Sequence, residues 1–67
     1  MRLSFWFNQQ EVEVASEFAA IPAIGHHIRW KLGSTQIPDG LYAIREVVWQ
    51  FDGTNRVVCM LDFVRAS

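Results

Sequence analysis

The sequence predicts an all-β domain: a small, strongly bent antiparallel barrel of five strands. Three observations lead there. Leu41 to Val64 reads as two runs dense in β-branched, aromatic and aliphatic residues around the polar turn Asp52-Gly53-Thr54-Asn55, which is a hairpin signature. The chain has 67 residues, room for one domain (residues 1–67) in which this hairpin is the largest element. Breaks at Asn8-Gln9-Gln10, Pro22-Ala23-Ile24-Gly25 and Pro38-Asp39-Gly40 divide the rest into short segments with period-two alternation.

The elements follow in order. From Arg2 to Phe7, Leu3, Phe5 and Phe7 fall on one face and Arg2, Ser4 and Trp6 on the other, as in a strand with one buried side. Val12 and Val14 alternate with Glu11 and Glu13, so a second strand over Glu11 to Ala15 pairs back on the first. The helix formers from Ala15 to Ala20 leave a short helical turn open, and Ile21-Pro22 ends it because a residue before proline avoids the helical region. His26 to Leu32 forms the third strand, with Ile28, Trp30 and Leu32 on one face and His27, Arg29 and Lys31 on the other. Residues 33–40 form a loop.

The fourth strand, Leu41 to Phe51, contains a change of phase. Tyr42 and Ile44 share a face whose continuation is Glu46, Val48 and Gln50, whereas the opposite parity carries Val47, Trp49 and Phe51. One extra residue near Arg45 or Glu46 reconciles the two, a β-bulge of the kind that bends a strand and lets a small sheet curl. In the fifth strand, Arg56 to Val64, Val57, Cys59, Leu61 and Phe63 form one face. Val58, Met60 and Val64 form the other, interrupted by Asp62. The expected core is Leu3, Phe5, Val12, Ile28, Trp30, Ile44, Val47, Trp49, Val57, Cys59 and Leu61.

The pattern P-x-x-G-x-x-I-R from Pro22, followed by G-x-Y-x-I-x-x-V-x-W-x-F-D-G from Gly40, resembles small Src-homology-3-like (SH3-like) or Tudor-like barrels. It is most similar to the short barrel proteins of bacteria and their mobile elements. The resemblance spans about Ile21 to Val64 and rests on turn and core positions, so it implies a fold and no functional residue.

Composition narrows the function classes. Six basic and seven acidic side chains give a net charge near zero, without the basic excess of a nucleic-acid binder. Cys59 is the sole cysteine, so no disulfide staples the domain, and a lone cysteine suits a reducing, cytoplasmic setting. Neither a signal peptide nor an apolar run of about 20 residues is legible, so no membrane association is expected. His26 and His27 are adjacent on a strand and point to opposite faces, which does not suit one metal ion. Cys59, between Val58 and Met60, reads as a small buried hydrophobe rather than a nucleophile. Asp39 and Asp52 each precede a glycine in a turn, where Asp accepts backbone hydrogen bonds. Glu46 reads as the exposed residue at the bulge. No acid–base pair stands out, and neither cofactor nor metal is implied.

Half of the residues are hydrophobic, more than so small an interior accommodates, and an apolar surface patch of this kind marks an interface. The expected function is therefore a non-enzymatic interaction module that self-associates, as a homodimer, or docks on a protein partner. Its interface would be Trp6, Val58, Met60 and Val64, on the faces of the first and last strands opposite the core. The alternative is a nucleic-acid-binding accessory barrel using Arg29, Lys31 and Tyr42. Trp6, Trp49 and Tyr42 would be the rings of an aromatic cage for a cation. An enzyme whose site forms only on assembly is a third reading.

Overall fold

A computed structural model describes residues 2–15, 22–33 and 35–66. The strands are β1 (Arg2–Phe7), β2 (Gln10–Ala15), β3 (His27–Trp30), β4 (Gly40–Gln50) and β5 (Arg56–Arg65), with no helix among the described residues. They form one strongly curled half-barrel sheet of order β2-β1-β5-β4-β3, the small SH3-like class of architecture that the sequence predicts. Three pairings are antiparallel and the fourth, β1 with β5, is parallel. The helical turn left open after Ala15 lies outside the described residues.

Turn chemistry sets the hairpins. Phe7 pairs with Gln10, leaving Asn8 and Gln9 as a two-residue connection with φ of 52° and 65°. Two consecutive positive φ values are those of a type I′ turn, whose twist matches that of the strands it joins. Between β4 and β5, Asp52 Oδ1 accepts hydrogen bonds from the Thr54 amide (3.2 Å) and hydroxyl (2.6 Å). Gly53 there takes a φ of 100°. Gly40, at the start of β4, answers to a close approach instead: a Cβ would lie 2.8 Å from Phe63 Cε1 and 3.0 Å from the Arg65 carbonyl oxygen.

β3 is shorter than the seven residues predicted. Its partner β4 begins at Gly40, opposite Trp30, so Lys31 and Leu32 have no strand to pair with. Gly33 then turns the chain at a φ of 66°, donating its amide to Asp39 Oδ1 at 3.2 Å.

The bulge lies where the phase break places it. Ile44 pairs with Leu61 and Glu46 with Met60, leaving Arg45 unopposed. Beyond it Val47 returns to the core side with Tyr42 and Ile44. Two further shifts were not legible: Val14 is the extra residue opposite β1, and Val64 the extra residue opposite β4. Each extra residue bends its strand, and together they curl a five-stranded sheet around one core.

That core contains Leu3, Phe5, Trp30, Ile37, Tyr42, Ile44, Val57, Cys59 and Leu61, with Val12, Ile28 and Val47 packed against it. Its aromatic rings meet edge to face: Phe5 on Trp30 at 5.6 Å, and Tyr42 between Phe7 at 5.0 Å and Phe63 at 5.5 Å. Such edge contacts add stability beyond the area they bury. Ile37, the apolar residue of the 33–40 loop, is wholly buried and was not expected in the core.

Trp49 corrects the expected core. It shares the inward parity, being paired with Val57, yet is half exposed. The cause is the length of β3, which covers β4 only from Gly40 to Ala43. Past the bulge β4 runs without a strand on that side among the described residues, and Trp49 and Phe51 lie over the rim.

Candidate interaction surface

Of the four residues first assigned to an interface, the fold brings two together. Trp6 and Met60 are register partners on the outer face, both half-buried. Acidic residues flank them, Glu11 beside Trp6 and Glu46 beside Met60. Val58 is not available, being only 4 % exposed. Arg56 lies opposite Arg2, and Glu11 opposite Trp6. The ion pair of Arg56 Nε with Glu11 Oε2, at 3.1 Å, therefore joins β5 to β2 diagonally across β1 at the level of Ser4. The aliphatic stems of such long side chains cover apolar surface while their charges stay wet. Val64 is exposed but separated from Met60 by Asp62, which pairs with Arg45 at 3.2 Å. The expected continuous patch is thus cut by charge.

The residues of the nucleic-acid reading also part company. Arg29 and Lys31 are exposed, whereas Tyr42 is completely buried and donates its hydroxyl to the Pro38 carbonyl at 2.6 Å. Burial, with the carboxylate of Asp39 adding to it, pushes the Tyr42 phenol above its ordinary value. Tyr42 can neither stack on a base nor join Trp6 and Trp49 in a cage.

The remaining polar groups have local work. His26 Nδ1 accepts the Ala23 amide at 3.2 Å, and His27 opens β3. Cys59 is buried, and desolvation raises its thiol pKa, as expected of an inert core cysteine. The Thr54 hydroxyl and amide hold the Asp52 carboxyl below its ordinary value. Among the described residues no cluster of His, Cys, Asp and Glu could hold a metal ion. No helix among them is long and apolar enough to cross a membrane.

The apolar surface that does emerge is elsewhere. Trp49 and Phe51 stack with centroids 6.4 Å apart and planes 17° from parallel. They are 50 % and 69 % exposed. Alternation along β4 puts both on one face, and the turn at Asp52 places them at the end of the hairpin. The Pro22–Gly25 turn comes alongside because the Gly25 amide donates to the Ile44 carbonyl at 3.0 Å. Ile24, 66 % exposed, thereby joins Pro22, Ala23, Val47 and Trp49 around an open cleft of about 450 Å³. Sequence reasoning placed Trp49 and Phe51 on the correct parity but missed their exposure. The signal was present in their position: W-x-F immediately before a turn lies at the end of a sheet, where cover is thinnest.

No protein-family model, curated protein or solved structure matches this chain.

Proposed function

We propose that this protein is a non-enzymatic interaction module that self-associates as a homodimer through an apolar aromatic surface centred on Trp49, Phe51 and Ile24. The observation behind the reading is the stacked, solvent-facing pair Trp49–Phe51 on a domain whose buried core is built without either ring. Large aromatics are enriched among the residues that anchor protein interfaces. A net charge of −1 adds little electrostatic repulsion between two copies. A two-fold arrangement would lay one copy's Trp49–Phe51 face on the other's, covering an apolar surface that is otherwise an association hazard.

Light scattering across a concentration series tests the reading. A dimer mass for the wild type, lost in Trp49→Ser/Phe51→Ser with the circular dichroism unchanged, supports it. A wild type that stays monomeric at high micromolar concentration refutes self-association. A dimer indifferent to those substitutions but broken by Met60→Lys would move the interface to the Trp6–Met60 face.

A further inference from the structure

The sheet is an open one, and its two edges face each other across an apolar groove. β2 and β3 are the terminal strands of the order β2-β1-β5-β4-β3. Between them lies a groove of about 360 Å³ lined by Phe5, Val14, Ile28, Trp30 and Leu32, with Arg29 and Lys31 on its β3 side. Val14, the bulged residue of β2, shares the parity of Val12, which packs against the core.

The β3 edge is equipped to receive a strand. His26 accepts the Ile44 amide through its carbonyl at 2.9 Å, which places that carbonyl toward β4. In an antiparallel ladder the pointing direction alternates, so Ile28 and Trp30 also direct their backbone groups at β4. The N–H and C=O groups of His27 and Arg29 therefore point outward along the free edge. Trp30, 3 % exposed, forms part of the groove wall.

Charge selects the occupant. Arg29 and Lys31 are exposed and join none of the ion pairs among the described residues, whereas Glu11 and Glu13 of β2 pair with Arg56 and Arg2. We propose that this groove is a strand-acceptor site for an extended peptide of alternating apolar residues carrying an acidic side chain, which adds to the free edge of β3. The peptide's backbone pairs with His27 and Arg29. Its apolar side chains enter the groove over Phe5 and Val14, and its carboxylate meets Arg29 and Lys31. Main-chain pairing supplies affinity and the alternating pockets supply selectivity, as in other cases of strand addition. The site is separate from the Trp49–Phe51 surface and stands independently of it.

The test is selection of a displayed library of random octapeptides on the full chain, followed by amide shift mapping with the enriched peptide. The expected result is enrichment of alternating apolar sequences bearing Asp or Glu. Shifts should centre on His27 to Trp30 and the Trp30 indole, with slowed exchange of the His27 and Arg29 amides. Arg29→Glu/Lys31→Glu should weaken binding by about tenfold or more through reversed charge. Mapping on the wild type keeps the test decisive if that variant folds poorly. Failure to enrich any peptide overturns the proposal. So does a peptide whose shifts centre on Trp49 and Phe51, or concentration-dependent protection of the β3 amides without peptide, which would assign the edge to a second copy.

Discussion

Removing one oxygen atom from the centre of the molecule, by Tyr42→Phe, probes how the loop before β4 is held to the core. The ring is wholly buried between Phe7 and Phe63, and phenylalanine keeps both edge-to-face contacts. The group lost is the hydroxyl that donates to the Pro38 carbonyl at 2.6 Å. A buried acceptor stranded without its donor costs up to about 3 kcal/mol, but Pro38 is itself exposed and its carbonyl can regain water. The expected loss is therefore near the net value of one hydrogen bond, about 1 kcal/mol. In a domain of this size that lowers Tm by roughly 4–8 °C. The pH dependence gives an independent readout. Burial, then Asp39, raises the phenol's folded-state pKa, so the folded protein holds this proton more tightly than the unfolded chain. The resulting stability is fully present below the unfolded value of about 10 and is lost as pH rises through the higher folded value. Tyr42→Phe should lack that component and lose stability less steeply above pH ~10, while the Cys59 component, raised by burial in the same sense, remains. Urea titrations followed by circular dichroism at neutral and alkaline pH measure both effects. A variant within about 0.3 kcal/mol of wild type at neutral pH, with an unchanged alkaline slope, would refute the assignment of Tyr42 as the tether of this loop.

Two further outcomes follow from burial and backbone geometry. Ile37→Ala should cost about 2–5 kcal/mol, because Ile37 has no exposed surface, while Trp49→Ala, compared at a concentration where the wild type is monomeric, should cost about 1 kcal/mol or less; denaturant titration that reverses this order would place the core at the wrong end of β4. Gln9→Gly should raise stability by about 0.5 kcal/mol, since Gln9 sits at a φ of 65° that glycine adopts without strain; a fall in the urea midpoint would show that the turn is not the one described.

Much of the secondary structure was legible because it is written locally. Period-two alternation marks β1, β2 and β5, and the polar residues at 8–9 and 52–55 mark where the chain reverses. Even the bulge at Arg45 is visible, because a single extra residue inverts the parity of every apolar position after it. Turn roles for Asp52 and Asp39 follow from the same short-range reasoning.

The interaction surface was not legible, because exposure depends on which strands stop where. Alternation put Trp49 on the inner face, but only the pairing of β3 with Gly40 to Ala43 shows that no strand among the described residues extends over it, leaving it half exposed. Val58 has the outward parity of Arg56 and Met60, yet it is only 4 % exposed, which alternation alone does not reveal. Ile37 lies in a stretch whose composition marks a loop, and the curl of the sheet leaves an interior place that this side chain fills. The parallel register of β1 on β5 has no local signature, since it joins residues more than fifty positions apart. The sequence by itself determined where strands form and which way their side chains alternate, since both depend on neighbours along the chain. Which of those side chains are covered, and therefore which face is left for a partner, was decided only when strands distant in sequence took their places around the core.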